Sequence, residues 1–184
     1  MHENGEVEIV PQIGGMLAYY QLTYNEKITA FPEGFQMLAG DSRLRDFKGS
    51  FPDLPKYAWT GELGTQKSLG QKAIGFNCLN SKVIPSEPAR YRHFLPSYDY
   101  LIDNCLDGIR AEIMFPSCWK GPGHETAPDH KSHMAYPRDI DGGACPPGFP
   151  VRMPMLFYET IWYTSAFKGK KGQFTFSNGD PTGM

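Results

Sequence analysis

The chain reads as mainly β, an antiparallel sandwich or jelly roll forming one domain over residues 1–184, with long loops rich in proline and glycine. Three observations lead there. Aromatic residues make up 14% of the chain, with ten Tyr and twelve Phe, a weight that suits pleated surfaces better than a helical bundle. Twenty Gly and sixteen Pro break helices and punctuate turns. Short apolar runs, some strictly alternating, recur between polar, proline-marked stretches, and no heptad or internal repeat competes with them.

The elements follow in order. Met16–Leu22 predicts a strand after a Gly14-Gly15 turn, and Phe35–Leu38 a short second one ended by Gly40-Asp41. Residues 41–73 show no sustained period and read as a long irregular loop. Ala73–Leu79 is the third strand, with Ile74, Phe76 and Cys78 on one face and Asn77 on the other. Leu101–Cys105 suggests a helical turn. Ile109–Phe115 alternates cleanly, so Ile109, Ala111, Ile113 and Phe115 face inward and Arg110, Glu112 and Met114 face outward, as in a half-buried strand. Val151–Tyr163 is β-branched and aromatic, with Pro154 confining its start to an edge or a bulge. Gln173–Ser177 is a last strand before the turn residues Asn178–Pro181. The chain stops soon after, without a closing element, so a further strand is expected to be missing.

Charge and length exclude some functions. The formal net charge is −2 with no basic stripe, which argues against nucleic acid as a partner. No apolar run approaches the roughly 20 residues of a membrane span. The acidic N-terminus, Met1 to Glu8, lacks the apolar core of a signal peptide. Four cysteines stand at 78, 105, 118 and 145 without a Cys-x-x-Cys pair, a pattern closer to disulfides than to a zinc site. Three connectivities are open. Cys78–Cys105 with Cys118–Cys145 closes two equal loops and is favoured, and four reduced thiols are the alternative.

The segment Phe115–Pro137 concentrates chemistry. It holds three of the five histidines, two carboxylates, Cys118 and Trp119 on a backbone broken by Pro and Gly. His130 and His133 sit three apart, so a shared divalent metal requires a bend between them. Acid/base work is a second reading. A third packs one ring on Trp119 or Tyr136 while the other bonds a backbone carbonyl. Asp129 either orients an imidazole or caps the turn after Pro128. His124 and Glu125 read as solvated, and Lys131 as exposed or bound to an anionic or hydroxyl-rich ligand. Glu159, amid apolar neighbours, would have a raised pKa if buried unpaired and would then suit a general acid. It could equally turn outward, or pair with Arg110 or Arg152. Trp119, Tyr158 and Trp162 offer flat faces to sugar rings, although core packing is the more frequent fate of such residues. Nothing marks Ser117 or a cysteine as a nucleophile, and there is no phosphate loop or dinucleotide fingerprint.

These residues carry a resemblance. Pro11–Gly15, Phe31–Gly40, Gly108–Glu112, Phe115–Trp119, Pro128–Pro137, Cys145-Pro146, Pro150–Arg152, Leu156–Glu159 and Ser177–Gly183 fall in order along nearly the whole chain. In these blocks the sequence resembles the fungal secreted domain of unknown function that often accompanies carbohydrate-binding WSC modules. The resemblance implies secretion, disulfides and a role on cell-wall or plant polysaccharide, with Asp129–His133 as the candidate site. Family members usually carry an upstream Gly-His-x-His segment, a continuation past Asn178–Gly183, and an Asp-Gly opening after the Cys-Trp pair. The chain is therefore expected to be incomplete at both ends. The resulting expectation is a protein that acts on or binds polysaccharide. As an enzyme it would use Asp129, His130, His133 and Glu159, with Trp119, Lys131, Tyr136 and Tyr158 holding sugar. As a non-catalytic module it would show exposed aromatics and no convergent His/carboxylate cluster.

Overall fold

A computed structural model of the chain describes residues 1–22, 26–44 and 47–177. It is mixed and mostly β, with two antiparallel sheets and two short helices. That is a coarser architecture than the sandwich expected from the sequence. The turn at Asn178–Pro181, and anything beyond it, lies outside the described residues.

Among the described residues seven strands follow in order: β1 (Gln12–Gln21), β2 (Ile74–Leu79), β3 (Gly108–Met114), β4 (Cys118–Trp119), β5 (Met134–Ala135), β6 (Val151–Arg152) and β7 (Met155–Trp162). The larger sheet has the order β1-β7-β3-β2 and the smaller β5-β4-β6. One bent ladder joins them. β3 pairs with β7 as far as Met114↔Phe157, and Phe115 N–H then donates to Leu156 O. Beyond the bend Met153 N–H donates to Ser117 O, and Cys118 pairs with Arg152. The break falls at Pro116 and Pro154, neither of which has an N–H to give to a ladder. Pro154 thus splits the expected single strand Val151–Tyr163 into one strand in each sheet.

Other expectations need correction for similar local reasons. Gly14 and Gly15 are not a turn before β1 but an irregularity within it. The register skips from Ile13 to Met16, and both glycines take φ near +75°, which costs little without a Cβ. Phe35–Leu38 forms no strand; it runs alongside the histidine loop, with Gln36 N–H on Glu125 O and Leu38 N–H on His130 O. The irregular 41–73 stretch contains α1 (Gln66–Lys72), started by Thr65 accepting from Ser68 N–H. The turn near Leu101 extends to α2 (Tyr98–Asn104), capped by Ser97. Gln173–Ser177 is not a strand, only a bridge between His2 and Gly172, while Phe174 packs beside Tyr98 and Phe167.

Both faces of the large sheet are covered in part, and this overturns the half-buried picture of β3. On one face Ile74, Phe76, Ile109 and Ala111 pack with Leu101 and Cys105 of the α2 region. On the other, Met114, Met155 and Phe157 pack with Leu69 and Ala73 of the α1 region and with Tyr136 and Ile140. Glu112 and Met114, expected to face water, are buried. Disulfides join Cys78 to Cys105 and Cys118 to Cys145, the favoured pairing. The second spans the histidine loop. No helix is long and apolar enough to cross a membrane, among the described residues.

Candidate functional site

Asp129 is exposed and caps its turn: Oδ1 accepts Ser132 N–H at 2.9 Å, Lys131 N–H at 3.0 Å and Ser132 Oγ–H at 3.0 Å. The Ser132 and Lys131 amides hold its pKa down to about 2. His130 follows with φ +50°, a conformation that non-glycine residues hold only when the surroundings fix it. Those surroundings are visible. Its N–H bonds Ala127 O, its carbonyl accepts from Leu38, and Nδ1 lies 2.7 Å from Thr126 Oγ1.

His133 points elsewhere. Its ring is buried edge-on against Phe35, centroids 5.4 Å apart, and neither nitrogen makes a hydrogen bond to a described residue. Burial lowers its pKa, opposed by the neighbouring Gln36 backbone and the Asp129 charge. The two histidines therefore sit in different surroundings, one bonded to Thr126 and one packed inside. Among the described residues no group of three or more His, Cys, Asp or Glu side chains is arranged to hold a metal ion.

The expected sugar platforms divide. Trp119 lies in the core with Met134, Met153 and Phe35, its indole N–H donating to His124 O at 2.6 Å, so its faces are spent on packing. Tyr136 is buried too. Its hydroxyl bonds Met114 O, and burial pushes its pKa up. Both fill the interior because the bent ladder folds the loop onto them. Tyr158 is half-buried, packs edge-on to Phe115, and borders a cleft.

That cleft, about 820 Å³, lies over the Tyr158–Thr160 part of the large sheet. Tyr158, Thr160, Ile74 and Phe76 line it from the strands, while Asp41, Arg43, Asp129 and Lys131 supply charge. Arg43 pairs with Asp41 and holds that carboxyl down to about 2. Lys131 Nζ donates to Gly40 O. Asp129 and Lys131 are thus brought to the same cleft as Tyr158.

Glu159 takes the other side. Strand alternation turns its carboxylate away from Tyr158 to the opposite face of the sheet. There it accepts Tyr19 O–H at 2.9 Å and pairs with Arg110 at 3.5 Å. Its cross-strand partner is Glu112, and Arg110 Nε lies 3.1 Å from that carboxylate as well. Burial raises the Glu112 pKa, against the Arg90 backbone N–H and Arg110. Glu112 and Glu159 are nonetheless among the residues that border the cleft with Asp129, and the carboxylate across the ladder from Glu159 is Glu112. Sequence reasoning missed this pair. One signal was available: Gly75, opposite Glu112 in the register, leaves the space into which a Cβ would bring an atom 2.5 Å from Glu112 Oε1.

A match to a family model covers residues 1–184. The chain belongs to the family described as a domain of unknown function, DUF1996. The match runs through both sheets, the cleft and the Asp129–His133 block alike. Comparison with curated proteins and with solved structures found no match.

Proposed function

We propose that this member of the family is a secreted fungal protein that binds a hydroxyl-rich polysaccharide of the cell wall in the cleft over the large sheet. The composition of the cleft carries the reading. A tyrosine and apolar side chains suit the apolar face of a pyranose, while Asp41, Arg43, Asp129, Lys131 and Thr160 offer polar groups to its hydroxyls. Two disulfides fit an oxidising compartment, and the resemblance to a domain that travels with WSC modules supports the same setting.

Binding is favoured over catalysis because the expected acid/base and metal groups diverge. His130 and His133 lie in different surroundings, His133 is buried and Glu159 is paired with Arg110; of the expected sugar platforms Tyr158 carries the binding, since Trp119 and Tyr136 are buried. The test is calorimetric titration with soluble β-glucan, xylan and mannan, together with a pull-down on insoluble chitin. Binding to at least one, weakened about fivefold by Tyr158→Ala, is the expected result, since loss of one ring contact is worth roughly 1 kcal/mol. Absence of binding to all four, or equal binding by the variant, rejects the reading.

A further inference from the structure

The segment Leu38–Asp41 lies against the large sheet and borders two hollows. One is the 820 Å³ cleft with Tyr158 and Thr160. The other, about 450 Å³, takes Gln71 from α1 and Phe149 from the loop before β6. Asp129 and Lys131 border both. Gly40 lies against Ile74 and Ile113 with φ +77°, a conformation that favours glycine. Two ties from the histidine block hold it there: Leu38 N–H on His130 O at 2.8 Å, and Lys131 Nζ on Gly40 O.

We infer that the two hollows are subsites of one groove that takes a linear glycan of several rings, with Asp129 and Lys131 contacting the part that crosses Leu38–Asp41. This rests on the glycan reading above. Each hollow by itself falls within the roughly 300–1,000 Å³ that takes a small molecule whole, so a compact ligand would need only one. Each side offers an aromatic ring and a hydrogen-bonding side chain: Tyr158 and Thr160 on one, Phe149 and Gln71 on the other. Two such sides suit a repeating ligand. The Asp129–His133 block then serves to fix this segment and to present one carboxylate and one ammonium beside it.

The experiment is calorimetry with cello- and laminari-oligosaccharides of one to six rings. Affinity should rise about tenfold or more between one ring and the length that spans both hollows. Gln71→Ala/Phe149→Ala should erase that gain and leave the shortest binder unchanged, whereas Tyr158→Ala should weaken every length. Thermal unfolding checks that each variant is folded. If the double variant is not, Gln71→Trp fills the same hollow from the helix surface and makes the same comparison. Affinity independent of length, or a gain that survives in the folded variant, overturns the two-subsite inference and leaves the glycan reading standing. No binding by any oligosaccharide, together with failure of the polysaccharides above, overturns both.

Discussion

His133 should make the fold sensitive to mild acid. The ring is 1% exposed, packs against Phe35, and has neither nitrogen bonded to a described residue. Burial disfavours the imidazolium, as do the His130 and Lys120 charges, while the Gln36 backbone and Asp129 favour it; the net pKa is lowered from 6.5. The folded chain therefore gives up this proton more readily than the unfolded chain does. Above pH 6.5 both states are neutral here and nothing is lost. As the pH falls below that value the unfolded state binds up to one extra proton. Stability then drops by at most about 1.4 kcal/mol per pH unit, until the folded-state pKa is reached. His133→Leu removes the titration and also loses an edge contact worth about 0.5–1.5 kcal/mol. Urea unfolding of both proteins at intervals from pH 7.5 to 5.0 isolates the effect as the change in their difference with pH. The wild type should lose stability relative to the variant as the pH falls. A difference that stays flat across this range refutes the reasoning.

Arg110→Met leaves the buried Glu112 and half of the Glu159 pairing without their cation, and should cost about 3 kcal/mol at pH 7 by urea unfolding. Because burial raises the Glu112 pKa, part of that loss should return as the pH falls toward 5 and the carboxyl takes up a proton; a loss that grows on acidification contradicts the assignment. Cys118→Ser/Cys145→Ser opens a loop of sequence separation 27 and should lower stability by roughly 3 kcal/mol, read as a fall in thermal midpoint that the reduced wild type exceeds only through its second bridge. Asp129→Ala removes the acceptor of the Lys131 and Ser132 amides, so hydrogen exchange should accelerate at those two positions and at Leu38 while the β3 amides stay protected.

Several elements were legible because their signal is local. β2 and β3 announce themselves by alternation, and the cysteine spacing of two equal loops matches the pairing formed. Pro154 marked the start of a strand as irregular, and the structure bends there. Other elements left no local trace. α1 is seven residues with Gly70 inside it, too short and too polar to show a helical period. β4, β5 and β6 are two residues each, and two residues have no period. The Asp129 cap was readable from its neighbours, since an Asp after a proline bonds amides two and three positions on. The fates of Trp119 and Tyr136 were not, because an aromatic ring has the same composition whether it packs or binds.

The sequence by itself determined the strand-rich character, the long loops, the cysteine framework and the block Asp129–His133, all set by bonds and preferences that act over a few residues. Only the tertiary structure decided which groups meet. It put Glu159 opposite Glu112 under Arg110, buried His133 against Phe35, and laid Leu38–Asp41 against the sheet, bordering the hollows of Tyr158 and Phe149. Those meetings depend on strand register and on a ladder bent at two prolines. Shifting the register by one residue would send every side chain on a strand to the other face, with no change in local propensity.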